Sequence, residues 1–222
     1  MVGKTKQEAL APRNAILDAA ELVCQERGVG RASLAEIAAA AGVTRGAIYW
    51  HFANKLDLFD AMVQRVCGAF EAQFNEMLVI APEGDPVEPL RQYTLCFLDR
   101  LATDPQYYRI TEISWHKCEF VGEIAGIRDK HMERGNRYID LTEPAFRVAQ
   151  ERGYLSPGVD PRTAAVGLLS VVSGLIANWT LDPAAFPLVE IGAQVVDIYL
   201  SALRNPKRPA EKGKREGGRV KP

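Results

Sequence analysis

Apolar residues recur at three- and four-residue intervals along almost the whole chain, and strand-like alternation is nearly absent. That spacing predicts an all-α protein of about nine helices. The first is expected over residues 12–27, with Ile16, Leu17, Ala20, Val23 and Cys24 on one face and Gly28 as its stop. Ser33 stands three residues before Glu36, the spacing of a capping box at the head of a second helix. Asn54 is expected to cap a long helix reaching about Val79, with Asp57 in its first turn.

Four Asp-Pro pairs punctuate the chain beyond that helix: Asp85-Pro86, Asp104-Pro105, Asp160-Pro161 and Asp182-Pro183. Aspartate accepts from the unpaired amides of a helix start, and proline at the first helical position gives up no needed bond. The first three pairs predict helix starts, and the fourth a break before a last helix over 186–203. A long charged helix is expected over 119–152, closed by Gly153. No internal repeat is visible.

Between Ser33 and Lys55 the pattern tightens. Leu34, Ile37, Ala38 and Ala41 share one face of a short helix, and Gly42 supplies the left-handed residue that a tight helix–helix turn needs. Val43 plugs the turn and Thr44 caps the next helix, in which Ile48 and Phe52 point inward. Arg45, Gly46, Tyr49 and Trp50 are left on the other faces, with Trp50 open between core and surface. This is a helix-turn-helix whose second helix carries donors and flat rings at the end that meets base edges. From Gly42 to Leu56 the only charges are Arg45 and Lys55, so no acid repels phosphate. Arg45 is the candidate for guanine or phosphate. Tyr49, His51 and Lys55 are candidates for the backbone contacts that position without specifying, and Gly46 permits close approach.

Net charge is −1, which gives no hint of nucleic acid until its distribution is read. Residues 204–222 hold eight Lys/Arg against two Glu, in a segment too poor in apolar residues to order itself. The domains expected are therefore a DNA-binding unit at 10–58, a helical unit at 59–205 and a basic tail at 206–222. Cys24, Cys67, Cys96 and Cys118 lie far apart without a CxxC pair and read as free thiols of a cytoplasmic protein. No leader-like apolar segment follows the first lysines, and no uninterrupted apolar run approaches a membrane span, so no membrane partner is expected. His116, Cys118 and His131 lack metal-ligand spacing, and no nucleophile, phosphate or dinucleotide motif is present. Neither an enzyme nor a cofactor is expected.

Gly42, Val43, Thr44, Gly46, Ile48, Tyr49, His51, Phe52 and Lys55 together resemble the core of the TetR family of transcriptional regulators. TRGAIYWHF, the KTKQEALAPR start and RITEISWHKCEF at 109–120 are similar to the AcrR- and TtgR-like repressors of multidrug efflux pumps. The resemblance extends to about Leu203. It implies a homodimeric repressor of an inverted-repeat operator, with Ser33, Thr44, Arg45, Gly46, Tyr49, Trp50, His51 and Lys55 at the DNA. It also implies a cavity for a hydrophobic or aromatic ligand at Val66, Tyr93, Thr94, Phe97, Thr111, Trp115, Thr142, Leu169, Val172 and Ser173. The chain departs from the expected polar pattern at Trp115 and Ala177.

Small residues Gly167, Ser170, Gly174 and Ala177 make a stripe that permits close helix approach, and the last helix groups Val195 and Tyr199 with other apolar residues. These predict a four-helix dimer interface, with internal packing as the alternative. The function expected is release from the operator by hydrophobic drugs. The alternative is a regulator of metabolism or signalling, which a tight polar cavity favours, whereas a broad apolar one favours efflux.

Overall fold

A computed structural model describes residues 6–79, 84–119 and 125–206. Among them are nine α-helices and no strand; an isolated bridge joins Leu155 to Arg204. The basic tail, from residue 207 onward, lies outside the described residues.

Helices α1 (Lys6–Arg27), α2 (Leu34–Ala40) and α3 (Arg45–Tyr49) make the N-terminal unit. α1 buries Ile16, Leu17, Ala20 and Cys24 along the expected face. It begins upstream of the expected start, with Pro12 inside it, because KQEALA is a run of strong helix formers. Gly28 closes α1 at φ +80, its amide bonded to the Cys24 carbonyl at 2.9 Å. The capping box forms: Glu36 N–H donates to Ser33 Oγ at 3.2 Å and Ser33 N–H to Glu36 Oε2 at 2.9 Å. Gly42 turns the chain at φ +67, and Thr44 Oγ1 accepts from Ala47 N–H at 3.2 Å.

α4 (Lys55–Val79) leaves this unit, capped by Asn54, whose Oδ1 accepts from Asp57 N–H at 2.9 Å. Around it pack α5 (Glu88–Thr103), α6 (Pro105–His116), α7 (Gly126–Glu151), α8 (Pro161–Leu181) and α9 (Leu188–Leu203). Asp104 caps α6 through Gln106 and Tyr107 N–H, and Asp160 caps α8 through Thr163 N–H, as their proline pairs predict. Asp182 ends α8 and turns the chain ahead of α9.

Two further expected boundaries move. Asp85 accepts from Val87 N–H at 3.0 Å, closing a turn, so α5 starts at Glu88 and not at Pro86. The helix expected from 119 begins at Gly126; Lys117 to Glu119 are not helical. The Lys117 carbonyl is engaged by Val29 N–H at 2.8 Å, a contact remote in sequence that helical periodicity cannot anticipate.

α8 is long and apolar enough, by length and composition, to cross a membrane. Its polar residues Ser170, Ser173, Asn178 and Thr180 interrupt that run, and Ala165, Leu168, Val172, Ile176 and Trp179 are buried in the bundle. Those positions give the bundle its inner helix.

Candidate functional site

One residue pins α3 to its unit: Ile48 is 0% exposed, with Phe52 buried just beyond it. Ala47 is half-buried beside it, and the other residues of this short helix face outward. Thr44, Arg45 and Gly46 are exposed, and Tyr49 is half exposed. Trp50 is 89% exposed, which resolves the question of its face: α3 ends at Tyr49, and Trp50 projects from its C-cap. Arg45 reaches along the helix to donate to Tyr49 Oη at 3.3 Å, its guanidinium 5.9 Å from the ring centroid. A Cβ on Gly46 would meet only Thr44 Oγ1, at 3.8 Å, so nothing inside the protein requires glycine there.

Three other residues expected at the DNA have internal employment. Ser33 Oγ donates to Glu36 Oε2 at 2.8 Å while accepting from its amide. Those bonds, and then the neighbouring Arg27, hold the Glu36 carboxyl below its ordinary range. Lys55 Nζ donates to the Gly30 carbonyl at 2.9 Å, strapping α4 to the α1–α2 turn, and half-buried His51 lies against Phe52, ring centroids 6.2 Å apart.

A cavity of about 600 Å³ opens within the C-terminal bundle. Each wall is a helical stripe. α4 gives Asp60, Val63, Gln64 and Cys67; α5 gives Tyr93, Thr94 and Phe97; α6 gives Tyr107, Ile110, Thr111, Ser114 and Trp115; α8 gives Leu169, Val172, Ser173 and Ile176. Eight of the ten expected positions are therefore brought together. Val66 is not: one residue before Cys67, it turns about 100° away into the core. Nor is Thr142, fully buried beyond Leu141 with its hydroxyl donating to the Tyr138 carbonyl at 2.9 Å.

On α7 sequence reasoning named only Thr142 and missed the stretch that lines the cavity, Lys130 to Ile139 with Leu141. Charges on this long helix pair with one another and with α4: Lys130 with Glu133 at 3.4 Å and Arg134 with Asp60 at 3.1 Å. Burial pushes the Tyr107 phenol up, helped by its bond to Cys67, so it stays protonated. Burial also pushes the Cys24 thiol up to about 11 and the Cys118 thiol up to about 12, so both stay neutral.

Residues 16–62 match the model for bacterial regulatory proteins of the TetR family, and residues 85–205 that for the C-terminal region of MAATS-type transcriptional repressors. The chain belongs to the TetR family. It is 38% identical to the regulator TtgR of Pseudomonas putida, over 92% of this chain and 97% of that one. Its fold is similar to NalD, the secondary repressor of the MexAB-OprM multidrug efflux pump in Pseudomonas aeruginosa. The TM-score is 0.82 at 34% identity, covering 90% of this chain and 100% of NalD. It is also similar to SmeT in complex with triclosan, with a TM-score of 0.80 at 30% identity over 91% of this chain and 96% of that one. SmeT is the repressor of the Stenotrophomonas maltophilia multidrug efflux pump SmeDEF.

In this TetR-family regulator a polar seam joins the cavity wall α6 to α1. Glu21 on α1 is 2% exposed, and its carboxylate is paired with Arg65 of α4. It also accepts from Gln106 Nε2 at 2.8 Å and lies 3.6 Å from Arg109 Nη1, both on α6. One turn on, Gln25 donates to Glu112 at 3.2 Å, and Lys117 Nζ bridges Glu112 at 3.1 Å and the Gln25 carbonyl at 2.7 Å. His116 is held against α8 instead. The Thr180 hydroxyl already donates to the Ile176 carbonyl, so His116 Nε2–H is the donor in their 2.8 Å bond.

The regulator also presents an apolar outer face on α8 and α9, where Leu181 is 68% and Ile198 70% exposed. Ser170 is exposed there, Gly174, Ala177 and Val195 are half-buried, and no heavy atom lies within 4 Å of a Cβ built on Gly174. Gly167 and Tyr199 are placed differently from the expected interface. They meet within one chain: Tyr199 Oη donates to the Ala164 carbonyl at 2.8 Å and fills the space a Gly167 side chain would need.

Proposed function

We propose that the chain is a homodimeric repressor of a multidrug efflux operon, released from its operator when a hydrophobic or aromatic compound enters the cavity. The observation that carries this reading is that α6 walls the cavity on one side and is bonded to α1 of the DNA-binding unit on the other. Similarity to the efflux repressors NalD and SmeT supports the operon class. A broad cavity rich in Tyr, Phe and Trp suits apolar drugs better than a small metabolite.

Arg45 and Tyr49 read base edges with Thr44 and Trp50 beside them, while His51 and Lys55 position the backbone. Two copies pair through the outer faces of α8 and α9, around Ser170, Gly174, Ala177, Val195 and Ile198, and set two recognition helices about 34–36 Å apart. A guest displaces α6, and the seam carries that displacement into α1 and α4, so the helices no longer fit successive major grooves. This requires the guest to favour the DNA-incompetent state.

A gel shift with the intergenic DNA beside the protein's own gene, at fixed salt, tests the reading. Tight binding released by planar antimicrobials supports it; binding that none of them releases removes the drug sensor. Thr111→Leu and Trp115→Ala are expected to change the drug dose for release by about ten-fold or more while operator affinity without drug stays native. An equal loss of both properties would place these residues in folding alone.

Gly46→Ala separates reading from stability. Alanine is the better helix former and has room, so the thermal midpoint is expected to hold or rise. Operator affinity is expected to fall, because the added methyl stands on the face that meets the groove. Unchanged affinity would remove close approach as the reason for glycine.

A further inference from the structure

The cavity walls differ in what they have left to offer a guest. The Thr111 and Ser114 hydroxyls each donate at 2.8 Å to a carbonyl one turn back on α6, so only their lone pairs remain. Thr94 does the same to Leu90, and the Tyr138 phenol is hydrogen-bonded to Thr94.

His131 stands apart from these. It lines the cavity from α7, edge-on to Trp115, with ring centroids 5.2 Å apart at 89°. Among the described residues neither of its nitrogens has a hydrogen-bond partner. Burial, and then the Arg134 guanidinium, hold its pKa below the ordinary 6.5. The ring is therefore neutral near neutral pH, with one lone pair that no donor among the described residues engages, in a half-buried aromatic setting. Such an acceptor gains a hydrogen bond from a donor brought by the guest.

We propose that the cavity selects aromatic compounds carrying an uncharged hydroxyl, and that His131 is the acceptor that reads it. This rests on the cavity being the ligand site. A phenol donates its O–H to the imidazole nitrogen and lays its ring among the aromatic walls. Its methyl ether brings another lone pair and no proton, and makes no hydrogen bond to His131. Lys130, Arg134 and Arg137 line the cavity against Asp60 and Glu133, so a cationic guest gains no net attraction from its walls.

Isothermal titration of the full chain near neutral pH with para-hydroxybiphenyl, para-methoxybiphenyl and biphenyl tests the assignment. The phenol is expected to bind about ten-fold tighter than its methyl ether. In His131→Leu the two are expected to come within about two-fold of each other, while the ether's own affinity moves by less than about three-fold. His131→Gln, which restores an acceptor, is expected to recover most of the preference. Equal binding of phenol and ether to the native chain overturns the proposal and leaves the cavity a ligand site. A preference that survives in His131→Leu also overturns it, as does a uniform loss of all three compounds in that variant. Failure of all three to bind the native chain overturns both the proposal and the reading of the cavity on which it rests.

Discussion

Glu21→Ala is expected to lower the unfolding free energy by about 2–4 kcal/mol, because it removes the buried carboxylate at the centre of the seam and leaves the partly exposed Arg65 and Arg109 without it. Arg65 Nε and Arg109 Nε are already buried without a partner, so each guanidinium has a donor beside Glu21 that is unmet even in the native chain. Arg65 keeps Asp18 at 2.8 Å and the Asn14 carbonyl at 3.3 Å, which places the loss toward the lower end. Glu21→Gln keeps the shape and one acceptor, so it is expected to cost less while narrowing the ligand-driven change in operator affinity. Urea denaturation followed by circular dichroism measures the first effect. A Glu21→Ala protein within about 1 kcal/mol of native would show that solvent replaces the network at little cost.

Arg45→Ala is expected to weaken operator binding at least about 30-fold without changing the thermal midpoint. A good Arg–base contact contributes about 1–3 kcal/mol, and a dimer makes it at both half-sites, for a loss of about 2–6 kcal/mol. Among the described residues the guanidinium bonds to the exposed Tyr49 one turn away, a surface pair with little bearing on the fold. Tyr49→Phe, which removes only the hydroxyl, is expected to lose far less. Fluorescence anisotropy with labelled operator at fixed salt reads both variants. Native affinity in Arg45→Ala would move the reading face away from the N-terminal end of α3.

What was legible in the sequence was local. Ser33, Thr44, Asn54, Asp104 and Asp160 each cap a helix within three residues, and short-range chemistry was enough to place them. The cavity stripes on α5, α6 and α8 were legible through family resemblance, because their apolar faces match a known pattern. What escaped depends on partners distant in the chain. Val29 engages the Lys117 carbonyl at the end of α6, and Arg134 of α7 finds Asp60 of α4 beside the cavity, contacts far apart in the chain. Gly167 illustrates the same limit, since a small residue in a helix signals close approach but does not name its partner, here Tyr199 of the same chain.

The central claim is that cavity and operator are linked through α6 and α1, and linkage is reciprocal. The most direct test is isothermal titration of one planar aromatic antimicrobial into the free protein and into the protein saturated with operator. The account predicts that the compound binds the operator-bound protein about ten-fold or more weakly, by the same factor that it weakens operator binding. Equal affinity for the free and the DNA-bound protein would contradict it.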